Sequence, residues 1–342
     1  MNNFNPNDIG NINNNIFGLP TNEIDARLIF IPVPWDVTVS YGGGTSKAPE
    51  AIFNASFQVD LFDPFKKNAW ETNYAMLPVS NTLIEKNDNL KIYSRKIISQ
   101  LASGNISDDL DQSITLINKG CAELNEWVKK TTDFYLNQNK MVAILGGDHS
   151  VPLGFIQSLA KRYANFSILQ IDAHADLRNA YEGFEFSHAS IMFNTLKIPQ
   201  VKKLVQLGVR DYCQEESDYI QQSSGRIKTF FDRNIKKDFY EGGSWKSVCH
   251  SIIQELSENV YISFDIDGLD PKLCPNTGTP VAGGVDTEQV FYLFEQLVLS
   301  GKKIIGFDLC EVSPSEENEW DANVGARILY RLSNIMTKSN GI

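Results

Sequence analysis

The sequence predicts one α/β domain in three layers, with helices on both faces of a mainly parallel sheet. Two observations carry this reading. Short β-branched and aliphatic runs recur along the 342 residues, and segments with helical apolar spacing lie between them. That alternation marks an α/β/α domain. The runs are also almost continuously apolar, as in strands buried on both faces of a parallel sheet. No internal repeat and no Pro/Gly/Ser linker divides the chain, so residues 23–342 read as a single domain.

In chain order, residues 1–22 are rich in Asn and lack the basic start and apolar stretch of a secretory signal. They read as a flexible or oligomer-contacting arm. A strand over 28–33 leads into Pro34-Trp35-Asp36 and the glycine run Gly42-Gly43-Gly44, followed by a helix over 48–57. The glycine run has neither the Lys-Ser/Thr ending nor the wider spacing of a phosphate loop, and reads as a close-packed turn. From about 63 to 139 the helical pattern dominates, with a long helix over 106–137, and reads as an insertion or surface layer. Strands over 142–145, 167–171, 204–209, 227–231, 260–264 and 303–307 then alternate with helices over 151–163, 187–196, 245–256 and 287–299.

Composition narrows the function classes. A net charge of -11 argues against a general nucleic-acid binder, because phosphate backbones are held by clustered Lys and Arg. It suits a cationic substrate. No apolar run approaches the roughly 20 residues of a membrane helix, so a soluble protein without membrane contact is expected. The five cysteines are widely spaced, odd in number and without a C-x-x-C pair, as in a reducing cytoplasm.

Polar residues gather where the strands end. His149 follows Leu145-Gly146-Gly147-Asp148, Asp172 follows Ile171, Asp265 follows Phe264, and Glu311 follows Leu309-Cys310. Open parallel sheets place ligands at the carboxyl ends of their strands, so a shared site is expected. Asp172, His174 and Asp176 alternate, and Asp265 and Asp267 repeat that spacing; with His149 they offer carboxylate and imidazole ligands for two borderline divalent ions. Two such ions match the charge of the four Asp carboxylates. Each short motif alone also reads as a helix cap or turn. However, three of the four histidines, His149, His174 and His188, fall in or just after these motifs. His250 lies on an expected helix without carboxylate neighbours and reads as structural or surface. Bridging ions would lower the pKa of a bound water to about 7.

At these residues the chain resembles the ureohydrolase family, which includes arginases, agmatinases, formimidoylglutamases and guanidine hydrolases. The matching segments are Gly146-Gly147-Asp148-His149-Ser150, Asp172-Ala173-His174-Ala175-Asp176, Ser263-Phe264-Asp265-Ile266-Asp267-Gly268-Leu269-Asp270-Pro271 and Asp308-Leu309-Cys310-Glu311-Val312-Ser313-Pro314. They span most of the chain. The resemblance implies a doubly wound sheet of about eight strands and a homo-oligomer, commonly a trimer or hexamer. It implies one metal ion on His149, Asp172, Asp176 and Asp265 and a second on Asp172, His174, Asp265 and Asp267, with Mn²⁺ or Ni²⁺ as the metal. Glu311 would bind the guanidinium. His188 would carry a proton to the leaving amine, its alternative being a residue at a helix start beside Ser187.

The loop after Asp176 looks more like the agmatinase branch than the arginases. Two segments resemble the branch acting on free guanidine: the one carrying Thr38 and the one carrying Trp320. A Thr38 hydroxyl and a stacked Trp320 indole suit a small planar cation, whereas Thr38 capping a turn and Trp320 filling the core are the plain alternatives. Hydrolysis of free guanidine to urea and ammonium is therefore the leading expectation, with agmatine hydrolysis second. Formiminoglutamate or arginine hydrolysis and a non-catalytic metal-binding homologue follow.

Overall fold

The computed structural model describes residues 4–105, 107 and 109–342. Its strands are β1 (Leu28–Val33), β2 (Tyr74–Met76), β3 (Met141–Gly146), β4 (Phe166–Ile171), β5 (Val201–Leu207), β6 (Ile227–Phe230), β7 (Asn259–Asp265) and β8 (Lys303–Cys310). They form one sheet in the order β2-β1-β3-β8-β7-β4-β5-β6, and every neighbouring pair is parallel. The eight strands and the parallel sense agree with expectation.

The helices are α1 (Ala48–Ser56), α2 (Asn81–Ser103), α3 (Leu110–Leu136), α4 (Leu153–Ala160), α5 (Ile191–Leu196), α6 (Gln214–Gln222), α7 (Asp232–Tyr240), α8 (Trp245–Glu255), α9 (Thr287–Leu299) and α10 (Trp320–Ser339). Side chains on a strand alternate between faces, and the core divides accordingly. Leu28 and Phe30 join residues of α1, α8, α9 and α10 on one side, while Ile29, Ile31 and Val33 join α2, α3, α4 and α5 on the other. Both faces are covered, which is why β1 and β4 are buried at every position.

Several expectations change. Residues 1–3 and Ile106 lie outside the described residues, so the expected helix start at 106 does too; α3 begins at Leu110. The arm expected through residue 22 docks onto the domain before that point. Ile16, Phe17 and Leu19 are buried, and the Phe17 ring meets those of Phe30, Tyr74 and Tyr330 at 4.9–6.2 Å. The Asn15 side chain pairs with both backbone groups of Met76 on edge strand β2. The Asn-rich composition hides this short apolar anchor. The helical stretch over 63–139 contains β2 and supplies α2 and α3, which form part of the layer over β1 and β3. The helix expected over 187–196 divides into a 3-10 turn, His188–Ser190, and α5. α6 and α7 escaped the pattern because Gln214–Gln222 and Asp232–Tyr240 bury few apolar side chains.

The four motif-bearing strands, β3, β8, β7 and β4, are consecutive in the sheet. Their carboxyl ends therefore open onto one crevice at the centre of the molecule. No described helix is long and apolar enough to cross a membrane.

Candidate metal centre

Each strand delivers its motif by a sharp exit. After β3, Gly147 lies against the Trp35 backbone so closely that a Cβ there would sit 1.9 Å from the Trp35 carbonyl oxygen. Glycine is what permits this approach. Gly147 also accepts from the Glu311 N–H at 2.8 Å, which ties the β3 and β8 exits together. Asp176 and Glu311 occupy the left-handed region, at φ 55° and 63°. For non-glycine residues this costs on the order of 1–3 kcal/mol and concentrates at functional sites.

His149 Nδ1 lies 3.0 Å from Asp172 Oδ2, 3.1 Å from Asp176 Oδ2 and 3.4 Å from Asp265 Oδ2. His174 Nδ1 lies 3.6 Å from Asp172 Oδ1 and 3.0 Å from Asp267 Oδ2. Asp172 thus presents one oxygen to each imidazole. Two groups of potential ligands result, His149-Asp172-Asp265 and Asp172-His174-Asp267, each with its atoms within 4.8 Å of one another. Asp265 Oδ1 accepts the Asp267 N–H at 2.8 Å, and Asp267 Oδ1 accepts the Ala173 N–H at 3.0 Å, so the two motifs brace each other.

The residues fit divalent ions on a direct test. His149 Nδ1 is buried without a hydrogen-bond partner. Its Nε2 lies 2.8 Å from Ser263 Oγ, which donates to Asp308 Oδ2 at 2.9 Å. Ser263 therefore accepts from Nε2–H, leaving the Nδ1 lone pair aimed at the carboxylates, the arrangement a metal-binding imidazole needs. The electrostatics also call for positive charge. Burial and then Asp267 and Asp172 push the Asp265 carboxyl well up, and burial with Asp172 raises Asp176 to about 8. Against the cost of burial, Asp267 and Asp172 draw His174 up to about 12. Cations in the cluster satisfy the same demand.

Glu311 is buried beside this group, and its Oε1 accepts the His149 N–H at 2.9 Å. Burial, Asp148 and Asp267 push its carboxyl well above the usual range, so a nearby cation would be welcome. His188 lines a cavity of about 330 Å³ with His174, Asp176, Arg178, Asp211 and Thr279. Burial, followed by the neighbouring imidazoles His174 and His149, lowers its pKa to about 4. Thr38 is fully buried between the two motifs: its hydroxyl lies 3.4 Å from Asp148 Oδ2 and accepts the His188 N–H at 3.4 Å.

Trp320 is placed elsewhere. At the start of α10 its indole donates to the Lys272 carbonyl and lines a different cavity, with Phe62, Leu273 and Phe291. It neither fills the core nor faces the metal ligands. The helix start turns it away from the crevice, a direction its position in the chain does not reveal. Arg210 is also structural, donating to the carbonyls of Gly208, Asp267, Leu269 and Val281. His250 is exposed, as expected.

A row of polar side chains supporting the candidate ligands, all buried except the half-buried Thr229, was missed. Thr229, Gln206, Gln170, Ser263 and Asp308 are successive register partners across β6, β5, β4, β7 and β8. Thr229 donates to Gln206, Gln206 to Gln170, and Gln170 to Asp172 Oδ2 at 2.8 Å. A signal existed, namely a polar residue interrupting each apolar run near its end. Buried polar groups persist only where partners satisfy them.

A model of the arginase family matches residues 26–333. The chain is 27% identical over 315 residues to an N(1)-aminopropylagmatine ureohydrolase of Synechocystis, covering 91% of this chain and 90% of that protein. It is 27% identical over 292 residues to an agmatinase of Halalkalibacterium halodurans, covering 85% of each. Among solved structures, the proclavaminate amidino hydrolase of Streptomyces clavuligerus superposes with a TM-score of 0.73 at 19% identity, covering 95% of this chain and 97% of that one. At that identity the likeness speaks for the fold.

Proposed function

This chain belongs to the arginase family of ureohydrolases, and from that premise we propose that it hydrolyses a small linear guanidino-amine of the agmatine type to urea and the amine. The observation that carries the chemistry is the pair of ligand groups sharing Asp172 at the carboxyl edge of four adjacent strands.

His149, Asp172, Asp176 and Asp265 would hold one divalent ion, and Asp172, His174, Asp265 and Asp267 the other. When bound, the ions supply Lewis acidity and a water-derived nucleophile at neutral pH. Glu311 anchors the cationic guanidinium through charge-assisted hydrogen bonds. His188, whose imidazole lines the cavity, takes up a proton and returns it to the departing nitrogen. Thr38 holds the His188 backbone beside Asp148, so its hydroxyl serves those two contacts rather than a substrate N–H.

The relatives' names favour a substrate with an amine tail over free guanidine. Trp320, half of the case for guanidine, lines another cavity. Asp211 stands in the cavity wall, and its carboxylate has no hydrogen bond or ion pair among the described residues, which suits a terminal ammonium. Free guanidine is kept as the second reading by one observation: the Arg178 guanidinium lines the same cavity, 4.8 Å over the Tyr181 ring, and opposes a second cation there.

Urea release from agmatine, aminopropylagmatine and guanidine, together with formamide release from formiminoglutamate, by purified, metal-loaded protein decides the matter. An amine-tailed compound is expected to have the highest kcat/KM, with KM raised several-fold by Asp211→Asn. A preference for guanidine overturns this reading in favour of the second. Metal analysis of protein isolated without added ions assigns Mn²⁺ or Ni²⁺. We further propose a cytoplasmic homo-oligomer, a trimer or hexamer, in keeping with five free cysteines and with exposed Ile24, Phe62 and Tyr240.

A further inference from the structure

Helices α2 and α3 cover one face of the sheet, yet their polar side chains reach both loops that wall the cavity. Residues 34–44 form an irregular segment between β1 and the turn before α1. That segment carries Thr38 to Asp148, Ser40 to the cavity, and Gly42 to the Gly278 carbonyl. Its hub is the fully buried Asp36. Lys91 of α2 donates to both Asp36 oxygens at 2.7 Å, the Gly44 N–H donates to Oδ2 at 3.1 Å, and Asn87 of α2 accepts the Asp36 N–H at 2.8 Å. Burial alone would raise the Asp36 carboxyl, but the Lys91 bond and charge hold it below its usual value. On the opposite wall, Asn118 of α3 donates to the Gly183 carbonyl at 3.1 Å and accepts the Glu185 N–H at 2.9 Å. Those residues belong to the loop between Asp176 and His188. Gly183 packs against Ile114 of α3 so closely that a Cβ would meet it at 2.7 Å.

We propose that the α2–α3 hairpin clamps the two walls of the active site, with Lys91 and Asn118 as positioning residues for the ureohydrolase reaction. The proposal rests on the function given above. Both loops have only a few backbone hydrogen bonds of their own, such as Gly42 to Gly278 and Tyr181 to Phe184, so side-chain ties contribute much of what holds their shape. Removing Lys91 leaves a buried carboxylate without its cation, which drives segment 34–44 to rearrange. Asn118 acts on the loop that ends in His188, so the two ties have different kinetic signatures.

The test compares Lys91→Met, Lys91→Arg and Asn118→Ala with Lys86→Met, a change on α2 whose Glu123 partner lies outside the site. Lys91→Met is expected to raise KM about ten-fold with metal content unchanged. It should also speed chymotrypsin cleavage after Tyr41, which is 86% exposed on the same segment. Lys91→Arg should restore much of both properties. Asn118→Ala should lower kcat more than it raises KM and open the Tyr181 loop to cleavage. Lys86→Met should match wild type throughout. Wild-type kinetics and cleavage in both Lys91→Met and Asn118→Ala overturn the clamp, as does an equal effect of Lys86→Met. A protein inactive on every guanidino compound overturns the functional reading instead, while the cleavage comparison still decides the clamp. If Lys91→Met does not fold, Lys91→Arg and Asn118→Ala carry the test.

Discussion

Asp172 divides its carboxylate between two imidazoles, with one oxygen 3.0 Å from His149 and the other 3.6 Å from His174. Asp267 serves only the His174 side, accepting the Ala173 N–H with one oxygen and facing His174 with the other. Loss of that single carboxylate should therefore remove one ion and leave its neighbour. We expect Asp267→Ala to bind one divalent ion per chain where wild type binds two, with turnover reduced by about 100-fold or more. Metal analysis beside a urea assay checks this, and full turnover with one ion would contradict a two-ion centre. These candidate ligands were legible in the sequence because their chemistry is local: alternate Asp and His at a strand end already set ligand type and spacing. Thr38 and Trp320 were less so. Their usefulness depends on direction, and the fold buries one beside His188 and turns the other toward Lys272.

Among the elements, the N-terminal segment departs most from its composition. Asn15 pairs with the edge of β2 while Phe17, in the left-handed region at φ 60°, inserts its ring beside Phe30, Tyr74 and Tyr330. An unpaired strand edge invites association, and covering it is a common remedy. Phe17→Ala should cost roughly 3–5 kcal/mol, the range for deleting a buried aromatic ring. Denaturant unfolding measures this, and an unchanged midpoint would mean that the segment is a dispensable arm. β2 and the docked segment were not readable for a shared reason. Three residues of strand and a few apolar side chains among asparagines are shorter than any periodic pattern.

At the scale of the whole molecule, a buried polar network joins the 63–72 loop, β2 and α10. Lys66 donates to Thr72 at 2.5 Å and Thr337 at 2.7 Å, Tyr74 donates to Asn334, and Asn334 donates to Asp63, which Arg331 meets at 3.1 Å. Burial lowers the Lys66 pKa to about 8, from 10.5, with Asp63 working against the shift and Lys338 with it. Between those values the unfolded chain binds the proton that the folded chain has released. Lys66 should therefore add stability as pH rises from about 8 toward 10, against the opposite effect of the buried Cys121, Cys249, Cys274 and Cys310, whose thiols burial pushes up and which ionise earlier in the unfolded chain. Comparing wild type with Lys66→Met across that window by denaturant unfolding should show wild type gaining stability relative to the variant as pH rises, and identical slopes would remove Lys66 as a contributor. The sequence by itself determined the layered α/β class, the candidate ligand residues and their place at strand ends, because periodicity and motif chemistry act within a few neighbouring residues. Only the tertiary structure decided that β3, β8, β7 and β4 lie side by side, that Gln170, Ser263 and Asp308 support the ligands from beneath, and that Trp320 faces elsewhere. Those outcomes depend on contacts between residues far apart in the chain, which no local pattern encodes.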